Sequence, residues 1–415
     1  MVTLPIDRAD IEAVLRRHVL DVWYPRCIDR RRGGFLCDYD RRWRPCGPHD
    51  KLLEFQARQT NLAAEALLFY PDDERLVDAA RHGLEYLSGP LWDTKHGGWY
   101  GLLDIDGAPQ RGSTKHAHGM AYAISACAAV FEALADETAL DLARRGFEWL
   151  DEHAHDHVHG AYFGFLTREG RLITAPLAGT WTAERDPIGT PLGWKDGNVN
   201  SDVLEALTRL YAVWPDQRVA ERITELVELL TKRMTGSDGG LRYFARADCT
   251  PVDSSWRYGQ ILMTSYRLVT ARTQLGEPVR GSDDARRLLD YVLAHGLDEA
   301  RGGFFYANVD IPAAPAAHSK QWWVQAEALR ALIETSRVYP DERSELSEAL
   351  VTHWQYIRGN LIDDEHGGFY TEPLDTVPGW RTIVGLGRAP AAVTRKGSIW
   401  KFAAHEGLAL LAGLR

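Results

Sequence analysis

Asp363-Asp364-Glu365-His366-Gly367-Gly368-Phe369-Tyr370 is the stretch on which the reading of the fold turns. Paired glycines tolerate positive φ, and the aromatic residues after them favour extended backbone, so the run reads as a short β-hairpin-like turn. Relatives of it recur at Gly33-Gly34-Phe35, Gly97-Gly98-Trp99-Tyr100, Gly160-Ala161-Tyr162-Phe163, Gly239-Gly240-Leu241 and Gly302-Gly303-Phe304-Phe305-Tyr306. Four copies are preceded by aspartate and a short polar linker. The glycines at 34, 98, 160, 240, 303 and 368 are 64, 62, 80, 63 and 65 residues apart. Six copies at this regularity mark a repeat architecture. The long step carries a Pro- and Gly-rich insert, 171–193, expected as a loop near a mouth.

Each turn lies between two helical patterns. An amphipathic one precedes it, near 8–23, 74–87, 137–152, 216–233, 283–295 and 341–360. A more apolar one, rich in Ala and Leu, follows near 51–68, 115–134, 197–213, 256–273, 320–337 and 399–414. An amphipathic helix needs one partner, whereas an apolar one needs burial all round. Six such pairs closed into a ring satisfy both. The expected fold is therefore an all-α (α/α)6 barrel, a single domain over 1–415, with six inner helices, six outer helices and short hairpin turns. An open solenoid would need polar capping repeats, and the last helix is among the most apolar.

Composition narrows the function. A formal charge of -10 in 415 residues disfavours nucleic acid and anionic membranes as partners. The N-terminal residues lack a basic-plus-apolar signal, and no apolar run approaches the roughly 18 residues that span a bilayer. Cys27, Cys37, Cys46, Cys127 and Cys249 are odd in number and form no CxxC, so neither a disulfide frame nor a zinc site is expected. A cytoplasmic protein follows. His153, His155, His157 and His159 alternate, but with no convergent Cys or carboxylate set they read as a solvated loop rather than a metal site. Fourteen tryptophans suit either a large core or a carbohydrate ligand whose rings stack on aromatic faces.

Lys51, Lys115, Lys195, Lys320 and Lys396 open most inner helices. Three and seven residues on, the same helix face carries polar or aromatic residues: His118 and Tyr122, Asn198 and Asp202, Trp323 and Glu327, and Arg58. On the fourth helix Trp256 and Gln260 lie four apart, and the last carries Trp400 and His405. Unpartnered buried polar groups are costly, so a shared pocket at the N-terminal mouth of the inner helices accounts for all of them. Local partners are the alternative: Glu54 for Arg58, Lys195 or Asn198 for Asp202, a lysine for Glu327, and Glu406 or a carbonyl for His405. His118 has the alternative of a satisfied core site beside His116.

These residues also carry a resemblance. Gln56-Ala57-Arg58-Gln59, Trp194-Lys195-Asp196-Gly197-Asn198 with Leu204-Glu205-Ala206-Leu207, Lys320-Gln321-Trp322-Trp323-Val324-Gln325-Ala326-Glu327, and Lys396-Gly397 with Trp400-Lys401 and His405 resemble the N-acylglucosamine 2-epimerase family, which includes cellobiose 2-epimerases and mannose isomerases. The resemblance spans essentially the whole chain. It implies an (α/α)6 barrel that moves a proton at C2 of an aldose through an enediol, with no cofactor and no metal. It gives His405 the part of general acid/base and Arg58 that of holding the sugar oxygens at C1 or C2. Asn198, Trp323, Glu327 and Trp400 would line or support the pocket. The chain departs from the family pattern where a histidine usually follows Tyr258-Gly259, here Gln260, and where a glutamate usually stands, here Met263. Asp202 replaces a further histidine, and His118 stands where tyrosine is common, a candidate replacement donor.

With one family histidine in place, aldose–ketose isomerisation is expected over 2-epimerisation, because one base can carry a proton from C2 to C1 on one face. Two other readings remain. Asp202, Asp196 and Glu327 could supply the paired carboxylates of a glycoside hydrolase or lyase, or the chain could bind carbohydrate without turnover. A small-molecule sugar is the expected partner, and monomer or homodimer the expected state.

Overall fold

The computed structural model describes residues 4–252, 257–279, 283–309, 316–339, 343–376 and 395–415. Each outer helix is followed by a glycine turn and then by an inner helix. The outer set is α1 (Arg8–Leu15), α3 (Glu74–Ser88), α5 (Glu137–His153), α7 (Gln217–Glu228), α9 (Asp284–His295) and α11 (Arg343–Asn360). The inner set is α2 (Leu53–Leu67), α4 (Ala117–Leu134), α6 (Gly197–Val213), α8 (Tyr258–Gln274), α10 (Trp322–Val338) and α12 (Ala404–Leu414). Inner helices pack in the order α2, α4, α6, α8, α10, α12 and back to α2, and each inner helix also packs on one outer helix. The ring is closed, as an (α/α)6 barrel requires. Asp7, Asp73, Asp136 and Asp216 cap the helices that follow them, each accepting a backbone N–H.

Three details differ from the sequence reading. Helices α1 and α7 continue through π-helical turns at Arg16–Leu20 and Leu229–Arg233. The last helix begins at Ala404 rather than 399, because the Ser398 hydroxyl accepts the N–H groups of Trp400 and Lys401 and folds that stretch into a turn. Helix α4 is 18 residues long and apolar enough to cross a bilayer by length and composition, contrary to expectation. It is an inner barrel helix, packed between α2 and α6, which is what its apolarity serves. The expected start of the fourth inner helix at 256 and the first two residues of the expected 341–360 helix fall outside the described residues.

All six turns close as hairpins, with antiparallel bridges such as Ile28–Phe35, Trp92–Trp99 and Ile362–Phe369. The lysines do not lie on the pocket face of the inner helices. Four of them sit two residues before their helix and Lys396 eight before α12, and each turns back into the preceding glycine turn. Lys51 reaches Asp29 at 2.9 Å, Lys115 reaches Asp93 at 3.2 Å, and Lys195 reaches Asp156 at 2.7 Å. Lys320 reaches Asp298 at 2.9 Å and Lys396 reaches Asp363 at 2.8 Å. The other oxygen of each aspartate accepts two backbone N–H groups of its turn, as Asp29 does from Arg31 and Arg32. Five repeats thus share one buried ion pair. In the fourth, Gly236 stands at the aspartate's place, making the same backbone bonds to Gly240 and Gly239, and no lysine stands two residues before α8, so both charges are dropped together. A lone buried charge would be far costlier than neither.

A second device ties turn to helix. The Gln56, Asn200 and Gln325 amides each accept the N–H and donate to the C=O of an aromatic turn residue, namely Phe35, Tyr162 and Phe304. Short strand pairs complete the frame. β2 (Lys51–Leu52) pairs with β3 (Leu102–Leu103), β4 (Lys115–His116) with β5 (Phe165–Leu166), and β6 (Lys195–Asp196) with β7 (Phe244–Ala245). β1 (Tyr39–Asp40) pairs with β8 (Arg395–Gly397), joining first repeat to last.

Candidate active site

The N-terminal ends of the inner helices surround a cavity of about 750 Å³. Arg58, His118, Asn198, Gln260, Trp323, Trp400 and His405, all singled out from sequence, lie on its wall. Gly259 makes room for Trp323: a Cβ there would come within 2.3 Å of the indole ring. Trp400 is 37% exposed and belongs to the rim. Arg58, His118 and His405 are buried.

Asp202 and Glu327 do not reach the wall. Each stands behind an imidazole. Glu327 Oε1 is hydrogen-bonded to Nδ1 of His405, and its other oxygen accepts from the Tyr266 hydroxyl at 2.8 Å. Asp202 lies 2.6 Å from Nδ1 of His118, accepts from the Tyr122 hydroxyl at 2.6 Å, and pairs with Arg267 at 2.8 Å. Two imidazole–carboxylate pairs therefore serve one cavity. Arg267, Glu205 and Arg330 continue the buried network between them, Arg330 also reaching Tyr266 at 3.2 Å.

Arg58 is not paired with Glu54. Its Nη1 lies 3.3 Å from His405 Nε2. The guanidinium packs over the Tyr122 ring at 3.5 Å and near the Phe402 ring at 4.6 Å. Tyr122 in turn meets the His118 ring, with centroids 5.0 Å apart. Arg58 thus touches His405 and Tyr122, and Tyr122 touches His118.

The charges fix the protonation pattern. Burial and the Arg58 charge lower the pKa of His405, outweighing the pull of Glu327. The neutral ring then keeps its proton on Nδ1, facing Glu327, and a lone pair on Nε2. Burial alone would raise Asp202, but Arg267 and His118 overcome it and hold the carboxyl well below the usual range. Glu327 is lowered too: burial opposes, and the His405 hydrogen bond wins.

The local partners weighed as alternatives for Arg58, Asp202, Glu327 and His405 are not the ones these residues meet. Glu406 pairs with Lys401 at 3.2 Å and leaves His405 to Glu327. Asp196 caps α6 through Val199 and accepts from Thr190. The carboxylates on the described wall are Glu54 and Asp186, not the trio Asp202, Asp196 and Glu327. Asp186 is engaged by His116 at 3.0 Å and by the N–H groups of Ile188 and Thr190.

Sequence reasoning missed Phe402, whose ring stacks on His405 at 5.1 Å. Extending the last helix back to 399 had hidden it. It also missed the wall residues of the insert, Trp181, Arg185 and Ile188, although 171–193 does border the mouth as expected. Irregular backbone offers no period from which facing can be read. Nor is the histidine run simply solvated: His155 is buried and bonded to Glu225 at 2.9 Å and His157 at 3.1 Å.

Among the described residues, Cys37, Asp38 and His49 form one group close enough to hold a metal. Nδ1 of His49 already accepts the Cys37 and Asp38 N–H groups, at 3.2 and 3.1 Å, and burial pushes the Cys37 thiol up, away from the thiolate a metal needs.

The sequence model of the family described as N-acylglucosamine 2-epimerase (GlcNAc 2-epimerase) matches residues 33–257 and 260–376. The chain is similar to a cellobiose 2-epimerase of Bacteroides fragilis, 25% identical over 408 residues that cover 96% of each chain. It is 25% identical over 325 residues to a D-mannose isomerase of Thermobifida fusca, covering 76% of this chain and 75% of that one. Among solved structures, cellobiose 2-epimerase from Spirochaeta thermophila matches with a TM-score of 0.82 at 25% identity, over 98% of this chain and 96% of that one.

Proposed function

The chain belongs to the N-acylglucosamine 2-epimerase family of carbohydrate epimerases and isomerases, and from that premise we propose that it interconverts a free aldose and its ketose by proton transfer at C2. The observation that carries this reading is the Nε2 lone pair of His405 beside Arg58 on a cavity wall, with Glu327 behind.

His405 takes the C2 proton on Nε2. The C2–H electron pair becomes the C1–C2 π bond, and the C1 oxygen takes the charge. Arg58 sits where it can hold that oxygen and stabilise the enediolate. Returning the proton to C1, while the O2 hydroxyl proton moves to O1, leaves a carbonyl at C2. Glu327 fixes the imidazole tautomer and stabilises the imidazolium in between. His118, held by Asp202, is available to open the sugar ring by proton transfer at the ring oxygen. Asn198 and Gln260 contact hydroxyls, and Trp323 and Trp400 offer faces to the ring.

A second reading, 2-epimerisation, has one observation in its favour. A second histidine is missing from its usual place, yet His118 is another imidazole on the lining of the same cavity. Proton return from His118 to the opposite face of C2 would invert that centre.

Incubating the protein with a broad panel of aldoses in D2O tests both. Ketose carrying deuterium at C1 supports the first reading, and the 2-epimer carrying deuterium at C2 supports the second. No exchange with any sugar, or exchange unchanged in His405→Asn, would overturn the proposal.

A further inference from the structure

The alternating histidines of the third glycine turn carry an arrangement that the sugar chemistry does not use. His155 and His157 stand on either side of Asp156, and neither lines the cavity that holds Arg58 and His405. The Nδ1 atoms of the two rings lie 3.1 Å apart. His155 is buried, at 8% exposure, and His157 is open to solvent.

Its neighbours fix the His155 ring. Nε2 reaches both oxygens of Glu225 on α7, at 2.9 and 3.1 Å. That carboxylate also accepts the Ala161 N–H at 2.7 Å. Burial opposes its charge, but the bonds from His155 and Ala161 win and lower its pKa. An ionised carboxylate only accepts, so Nε2 carries the proton of the neutral ring and Nδ1 is a bare lone pair. The Tyr162 ring packs edge-on at 5.0 Å. Asp156 accepts the N–H groups of Val158 and His159 and so fixes the backbone that presents His157. Of the nearby cations, Lys195 is paired with Asp156 and Arg222 with Asp151, while Arg233 donates to the carbonyls of His159 and Asp248.

The distances separate two uses of the Nδ1 pair. The ring centres are 4.7 Å apart, with planes at 65°. A straight N–H···N bond would set them about 5.4 Å apart. An ion about 2.1 Å from both nitrogens, on both ring axes, would set them about 4.8 Å apart. The ring axes thus converge on one point beside exposed His157. Imidazole nitrogens suit zinc, copper(II) and nickel(II) rather than hard cations. A carboxylate on the far nitrogen is what orients a metal-ligating histidine. The sequence run offered no such acid, because Glu225 lies 70 residues away. We propose that His155 and His157 bind a divalent transition-metal ion through Nδ1, with Glu225 behind His155 and water completing the shell.

The test titrates Zn2+ into the full-length protein by calorimetry, with Mg2+ as control. One saturable Zn2+ site is expected, which Mg2+ does not occupy. His157→Ala, a change at an exposed side chain, should weaken it at least tenfold. Glu225→Gln leaves both nitrogens in place and should still weaken it roughly 10–100-fold. Circular dichroism checks that each variant is folded. Protein loaded with one Cu2+ should show two imidazole nitrogens in its EPR spectrum. No saturable Zn2+ binding would overturn the inference, as would binding that His157→Ala leaves unchanged. Binding weakened by His157→Ala but not by Glu225→Gln would also overturn it, as an exposed histidine holding an adventitious ion only. Sugar turnover has no part in these readouts, so the metal site stands or falls apart from the proposed activity.

Discussion

Nη1 of Arg58, on the first inner helix, lies 3.3 Å from Nε2 of His405, on the last. The cation therefore stands beside the lone pair of the base and lowers its pKa. Removing it should act on rate and on pH dependence together. Arg58→Gln is expected to slow turnover by about 10²–10³-fold and to move the acid limb of the kcat/KM profile upward, toward the ordinary histidine value. A lost rate with an unmoved limb would show that Arg58 does not act on His405.

Glu327 has the opposite sign. Its carboxylate raises the His405 pKa against burial. Glu327→Gln should shift the acid limb further down while reducing kcat, because the imidazolium loses its partner. Steady-state profiles between pH 4 and 8 would separate the two variants.

The ratio of products reports on His118. If His118 only opens the ring, His118→Asn slows ketose and 2-epimer alike. If it returns a proton to C2, the 2-epimer falls about tenfold or more relative to ketose. Product ratios by NMR from one aldose distinguish the outcomes.

The repeated lysines are structural and should behave as such. Lys115→Met leaves Asp93 with one cation, Arg168, in place of two. Breaking a buried pair costs about 3–5 kcal/mol, and the surviving Arg168 contact should keep the loss near the lower end. Urea unfolding would measure it, and an unchanged midpoint would contradict the role assigned to the pair.

Acid should also destabilise the fold through His353. It is buried, its Nε2 bonds the Gln325 carbonyl, and burial lowers its pKa to about 4. The unfolded chain binds a proton near pH 6.5 that the folded one refuses. This contribution is therefore complete above pH 6.5 and is lost as pH falls toward 4. The linkage is on the order of 3 kcal/mol at most, and His353→Gln should flatten that part of the stability–pH curve.

Much of this was legible in the chain. Six glycine turns at near-constant spacing and two classes of helix gave the barrel, because turn chemistry and burial periodicity are local properties. Arg58 and His118 could be placed on the pocket side by slot, and His405 by the apolarity of the helix that carries it. The lysines could not: they stand ahead of the helix, so their side chains point to the turn instead of following the helical count. The start of the last helix misled for a similar reason, since a serine-capped turn interrupts what looks like continuous helix.

The sequence by itself determined the closed ring of six repeats and the level at which polar side chains gather, through a pattern each repeat carries within itself. Only the tertiary structure decided who meets whom. Glu327 joins His405, Asp202 joins His118, and Arg58 meets His405 and Tyr122, each contact crossing from one inner helix to another. The rotation and rise of one helix against the next are set by packing around the whole ring, and no local pattern records them.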